Sequence, residues 1–308
     1  MMDWLLFSVA LMVLPFLAIG TIRLLKARLQ NRIGPPILQP VYNFFKLLGK
    51  EEVVSNDASW LFRFCAVANL CLALFLALIL PWLSFKPVFL IEDLFLAIYL
   101  LALLRFFSIL QALDAGSPFG GFGASREATL SLLVEPAVVL SLAAVAVIAR
   151  STDLGDMFSF ARPHTLHDLT VWSTAGAALF LATLAELSRM PVDDPTTHLE
   201  LTMVHEAMVI ESSGPNLALV ELSYSVRLVV MFGLAGQCFI HALACVIHPQ
   251  ASTLAVLSLL VIFSMLLITA LVETVVVKLR WTRVPEYVAY AITMALLAAG
   301  GAIMGRMT

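Results

Sequence analysis

The chain has 308 residues, of which 61% are hydrophobic and only 13% charged, with a formal net charge of −3. The apolar residues run from end to end and leave no room for a separate soluble domain, which excludes an ordinary globular protein and marks a polytopic membrane protein. Basic residues are scattered at loop edges rather than massed, so nucleic-acid binding has no support.

Apolar runs of about 20 residues, the length a bilayer requires, fall near 4–25, 60–83, 93–113, 128–149, 170–190, 217–245, 252–278 and 286–304. The expected fold is therefore all-α, one transmembrane domain over 1–308 with about eight membrane-spanning helices. The first run lacks a basic flank and a small-residue cleavage site, so no cleavable signal is expected. After it, Pro35, Pro36 and Pro40 break the chain. Val41, Phe44, Phe45 and Leu48 then follow i, i+3, i+4, i+7 spacing with Asn43, Lys46 and Lys50 opposite. That pattern predicts a short amphipathic helix near 41–50, lying on the membrane surface or against a partner.

At the start of the fourth run, Glu127, Ser131 and Glu135 sit four residues apart and form a polar ladder, with Pro136 freeing a backbone carbonyl beside it. Glu127 reads either as a solvated helix-start residue favoured by the dipole or as the outer rung. Glu135, deeper in the run, is expected to be buried. Glu186 stands three residues before Arg189, so the two form an ion pair that anchors the helix end, tunes the acid, or does both.

The loop near 189–215 is rich in charge and histidine, yet Leu199, Met203, Ala207 and Ile210 make an apolar stripe that predicts a second interfacial helix. Its acids, including Asp193, Glu200 and Glu211, suit a solvated route leading protons inward. His198 and His205, with Glu200 or Glu206, could imitate a metal site, but the spacing matches no zinc motif and no metal is expected. The sixth run exceeds a straight span and carries Gly233 and Gly236, so tilt or a kink is expected. Glu221 begins that run and Arg227, six residues on, does not face it, so each needs a partner on another helix. Glu273, near Lys278 and Arg280, reads as a snorkelled residue at interface level. Cys65, Cys71, Cys238 and Cys245 lack CxxC spacing and read as small buried hydrophobes.

Arg23, Lys26, Arg28, Arg32, Lys46, Lys50, Arg63, Arg126, Arg189, Lys278, Arg280 and Arg283 fall in the odd-numbered loops, against Lys86, Arg150, Arg162 and Arg306 on the other side. With Arg105 and Arg227 these account for the 18 Lys and Arg residues. The bias predicts odd loops in the cytoplasm and both termini outside, which in a bacterium is the periplasm.

A charge at mid-bilayer costs roughly 2.5–3.5 kcal/mol on insertion scales, so buried charges need partners or a polar path. Glu127, Glu135, Glu186 and Glu221, with Arg105, Arg189 and Arg227 as charge partners, point to an interior that handles protons or cations. No phosphate loop, nucleophile elbow or mid-helix haem histidine pair is present, so no catalytic residue and no cofactor are expected in this chain.

The stretch from Arg28 through Asn31-Arg32-Ile33-Gly34-Pro35-Pro36 to Pro40, with Lys46-Leu47-Leu48-Gly49-Lys50-Glu51, resembles the first cytoplasmic loop of subunit 1 of respiratory complex I. The stretch Arg189-Met190-Pro191-Val192-Asp193, with Glu200 and Glu211, resembles that family's fifth-helix loop. Asp114-Ala115-Gly116-Ser117-Pro118, running through Arg126-Glu127 to Glu135-Pro136, is similar to the branch of membrane anchors in formate hydrogenlyase and hydrogenase-4 complexes. The resemblance implies a membrane anchor and ion-path subunit in an energy-converting hydrogenase-type complex of the inner membrane. It implies partners too: iron–sulfur and [NiFe] soluble subunits, docked at Arg32, Phe44, Phe45, Lys46, Asp114 and Arg126, and antiporter-like membrane subunits. Thr196 and His198 stand where complex I carries acids, and Ser212 where it has tyrosine, which weakens any implication of quinone binding. Two alternatives stay open: the quinone-binding subunit 1 of a true respiratory complex I, and a stand-alone cation/proton antiporter, for which the halves show no internal repeat.

Overall fold

The computed structural model describes residues 2–84, 92–160, 166–194, 203–247 and 251–307. It is helical throughout. The elements are α1 (Met2–Leu29), α2 (Gln39–Leu48), α3 (Trp60–Ile79), α4 (Leu94–Asp114), α5 (Pro118–Ala149), α6 (Leu154–Met157), α7 (Leu166–Glu186), α8 (His205–Val209), α9 (Gly214–Ile247), α10 (Ala251–Val275) and α11 (Val284–Met307). Among the described residues, eight helices are long and apolar enough to cross a membrane: α1, α3, α4, α5, α7, α9, α10 and α11. No strand occurs among them; the sheet-like pairing is confined to one bridge between Asp93 and Asp153.

Helix starts follow local chemistry. Ser59 caps α3 by accepting from Leu61 N, and Ser117 caps α5 by accepting from Gly120 N, with Pro118 at the first helical position. The second cap corrects the sequence reading. The fourth span begins at Pro118 rather than near 128, because Ser117-Pro118 starts a helix that the glycines at 120, 121 and 123 do not prevent. Glu127 therefore lies nine residues inside α5, not at its solvated start.

The helix α9 runs through the middle of the bundle, in contact with α1, α3, α7 and α10, and α7 packs in turn on α5 and α11. Without a hydrophobic drive in lipid, close approach of small residues holds such helices together. On α11 the buried positions Val288, Ala291, Ala295, Ala298 and Ala302 alternate by three and four, giving one narrow face toward α5 and α7. The α9 glycines serve the same purpose. A Cβ on Gly233 would lie 2.6 Å from the Trp82 carbonyl, and one on Gly236 2.9 Å from Val261, and the helix is continuous across both. Outward faces stay apolar, with Phe95, Tyr99, Phe106, Leu260 and Tyr290 exposed as a lipid-facing surface requires.

At the end carrying residues 30–59, 187–194, 203–213 and 276–283, hereafter the loop end, α2 folds back on α1 and α9. Helix α2 spans 39–48, close to the predicted 41–50, and Phe44 meets Phe16 of α1 edge-on while Phe45 points away, 66% exposed. Gly20 lets this loop lie flat, since a Cβ there would overlap the Ile37 carbonyl oxygen. The second expected interfacial helix is short: α8 has five residues. Met203 and Ala207 of its predicted stripe are buried, Ile210 is exposed, and Leu199 lies outside the described residues. Of the cysteines, Cys65, Cys238 and Cys245 are buried as expected, whereas Cys71 is exposed on α3.

Candidate functional site

Two groups of charged side chains lie inside the bundle, and partners distant in sequence assemble both. In the first, Arg105 of α4 grips Glu186, the last residue of α7. The guanidinium donates from Nε to Oε1 at 2.7 Å and from its second arm to Oε2, a bidentate pair with both residues buried. The remaining arm of Arg105 is 3.8 Å from Glu135 Oε2. Glu127, buried, accepts from the Ser188 hydroxyl at 3.3 Å. Ser188 holds that position in a left-handed turn with φ 47°, a conformation that non-glycine residues rarely adopt. Arg227 of α9 is also buried. Its Nε has no hydrogen-bond partner among the described residues, and its charge acts on Glu127 and His205.

The second group lies toward the loop end. Arg189 donates to Glu273 of α10 at 2.7 Å and to the Tyr224 hydroxyl of α9 at 2.9 Å; Tyr224 donates onward to the Leu187 carbonyl at 3.0 Å. The other oxygen of Glu273 is 3.5 Å from Lys26 of α1, whose ammonium is also 3.5 Å from Asp194. Asp193, almost fully buried, pairs with Lys278 at 2.8 Å and accepts from Val204 N at 2.9 Å. These bonds tie the loop after α7 to α1, α9 and α10.

Several expectations need correction. Glu273 is not a snorkelled interface residue, because Arg189 and Lys26 hold it inside. Glu186 and Arg189 do not pair: the helix ends between them, and each finds a partner on another element. Glu127 is the buried rung of the ladder, while Glu135 keeps 39% of its side chain exposed. Between them, Ser131 turns its hydroxyl to the Ala128 carbonyl. Glu221 is exposed in the second turn of α9 and feels Arg23 of α1. Glu211 is half-buried in the turn before α9, and Glu200 lies outside the described residues. Of the docking residues, Arg32, Phe45 and Lys46 are exposed. Asp114 accepts from Ser59 N, Ser59 Oγ and Phe62 N, capping α3, and Arg126 donates to the Met203 carbonyl. Sequence reasoning missed Lys26, Ser188 and Tyr224. Only Tyr224, a hydroxyl inside an apolar run, carried a local signal.

A cavity of about 1040 Å³ opens between α1, the loop bearing α2, α8 and α9. Phe16, Ile19 and Ile22 form an apolar wall, and Arg189, His205, Tyr224 and Glu273 a polar one. The His205 ring stacks on Tyr224 with centroids 4.7 Å apart. Burial, with the Arg227 and Arg189 charges beside it, pushes the imidazole down to about 3, so it is neutral at physiological pH.

A family model described as NADH dehydrogenase, the complex I subunit 1 family, matches residues 2–301. The chain belongs to that family. It is similar to "Hydrogenase-4 component C" of Escherichia coli (strain K12), 33% identical over 299 residues that cover 94% of this chain and 92% of that protein. "Formate hydrogenlyase subunit 4" of the same organism is 33% identical over 222 residues, covering 72% and 71%. Among solved structures, a chain of the membrane-bound sulfane sulfur reductase, an archaeal respiratory membrane complex, superposes with a TM-score of 0.79 at 22% identity over 98% of this chain and 97% of that one, a likeness of fold. Eight apolar helices and membership of this family make the protein a multi-pass membrane protein.

Proposed function

We propose that the chain is the membrane anchor and ion-path subunit of an energy-converting hydrogenase-type complex in the bacterial or archaeal inner membrane. Iron–sulfur and [NiFe] subunits dock at its loop end, antiporter-like subunits flank it, and its buried charges couple electron transfer to proton or sodium movement. The observation that carries this reading is the first charge group. Three carboxyls (Glu127, Glu135, Glu186) face two guanidiniums (Arg105, Arg227), so the group is neutral when it holds one proton. Glu127, with only a serine hydroxyl in hydrogen-bonding reach among the described residues, is the carboxyl able to take and release that proton. The names of the similar proteins supply the setting.

The test is Glu127→Gln in the complete complex reconstituted in vesicles, which keeps the hydrogen bond and removes titration. The complex should assemble, while turnover-linked proton movement falls by about tenfold or more. Glu135→Gln, half-exposed, should cost less. An assembled Glu127→Gln complex that moves protons at the parent rate would reduce the chain to an anchor.

The cavity favours a second reading, the quinone-binding subunit 1 of a respiratory complex I. Its volume suits a drug-sized ligand, with an apolar wall for a ring or tail and the neutral His205 and Tyr224 at a polar end. Co-purification separates the two: nickel and a hydrogenase large subunit for the first, flavin and a quinone for the second.

A further inference from the structure

A polar seam separate from the Glu127 ladder runs between α3, α4 and α9. On α4, Arg105, Ser108 and Gln111 recur every three residues and share one face, rising about 9 Å from the Glu186 pair toward the loop end. Gln111 donates to the Ser212 hydroxyl at 3.4 Å, and Ser212 also lines the cavity. Deeper, Asn69 of α3 donates to Ser108 at 3.3 Å, and Ser223 of α9 donates to the Asn69 carbonyl at 3.0 Å. Asn216, seven residues before Ser223, lies on the same side of α9. Asn69, Gln111, Ser212, Asn216 and Ser223 are all buried.

Two amide atoms on this seam, Asn69 Oδ1 and Asn216 Nδ2, have no hydrogen-bond partner among the described residues. Unsatisfied polar groups in an apolar bundle are expensive, and water that bridges them is the usual remedy. One orphan is an acceptor on α3 and the other a donor on α9. Among the described residues no carboxylate hydrogen-bonds a member of the stretch from Ser212 to Ser108, which suits neutral water rather than a metal cation.

Resting on the ion-path reading above, we propose that α3, α4 and α9 enclose a hydrated lane. Protons pass along it from the cavity to the Arg105–Glu186 pair without crossing Glu127. The lane feeds the charge group from its Arg105 side, upstream of Glu127, and Asn69 and Asn216 are positioning residues for the water chain.

Radiolytic hydroxyl footprinting of the complete complex tests hydration directly, because radicals formed from bound water oxidise the side chains beside it. Cys65 lies one turn from Asn69 on the same face of α3, while Cys238 packs against α7 near Gly176, and both are fully buried. Cys65 should oxidise several-fold faster than Cys238, and Asn69→Leu should bring it down to the Cys238 rate. The same variant, and Asn216→Leu as a second should the first fail to assemble, should slow turnover-linked proton uptake in vesicles several-fold. Asn69→Ser, which keeps a polar group and room for water, should restore it. Asn69→Leu also removes the donor to Ser108, so the Cys65 footprint, which a merely structural amide would not move, and Asn216→Leu carry the discrimination. Equal oxidation of Cys65 and Cys238 would overturn the lane. Fast Cys65 oxidation with parental uptake in both leucine variants, while Glu127→Gln still abolishes uptake, would leave a wet seam off the path and overturn the route alone. Parental uptake in all three variants would overturn the route and the ion-path reading together.

Discussion

Arg105 and Glu186 show what a single buried pair does in an apolar interior. Each is held mainly by the other, so removing Arg105 leaves the buried Glu186 without its bidentate partner. Arg105→Met should therefore cost about 3–5 kcal/mol, read as a lower unfolding temperature in detergent, and Arg105→Met with Glu186→Leu should recover most of it. A single variant as stable as the parent would show that the pair does not hold the bundle together. His205 makes the opposite kind of prediction. Its folded value is about 3 against an ordinary 6.5, so between those values the unfolded chain binds a proton that the folded chain refuses. Stability must then fall as pH drops below 6.5, by up to about 1.4 kcal/mol per pH unit. His205→Gln should flatten the fall in unfolding temperature between pH 6.5 and 5; an unchanged slope would mean that His205 is not held neutral.

At the scale of elements, α2 separates two roles that its sequence pattern merges. Phe44 closes against Phe16 and anchors the loop, whereas Phe45 faces outward. On the proposed function, Phe45→Asp should release soluble redox subunits without lowering the stability of the isolated chain, and Phe44→Asp should lower both their retention and the stability, as native gels and thermal unfolding would show. If Phe45→Asp retains the soluble subunits, α2 is not their seat. The helices were legible in the sequence because lipid imposes a length and an apolar composition on each crossing. The α2 face was legible because its period is local. The start of α5 was not, since three glycines within its first six residues masked a serine cap and a proline that begin the helix. The acids Glu127 and Glu186 stood out in the sequence as charges in apolar runs, but their partners did not. Arg105 lies 81 residues from Glu186 and Arg189 lies 84 from Glu273, separations that only the folded bundle closes. The Asn69–Ser108–Ser223 seam escaped notice because uncharged polar residues are ordinary in membrane helices until their partners are known.

For the whole molecule, the two ends of the bundle differ in what they can bind. The loop end carries the cavity mouth, α2, and the basic residues Arg23, Arg28, Arg32, Lys46 and Lys50. Among the described residues of the opposite end, Glu92, Asp93, Asp153 and Asp156 gather around α6, with Arg150 the nearby cation. The proposed orientation, in which basic loops are retained in the cytoplasm, would put the proposed docking surface inside and both termini outside. Lys50 and Thr152 are exposed at opposite ends of this arrangement. With the native cysteines replaced, Lys50→Cys should react with an impermeant maleimide in inverted vesicles and Thr152→Cys in right-side-out ones. Labelling of both from one side would overturn the eight crossings. A complete reversal would keep the crossings but put the proposed docking surface on the other side of the membrane, and would overturn the proposed attachment of cytoplasmic redox subunits there.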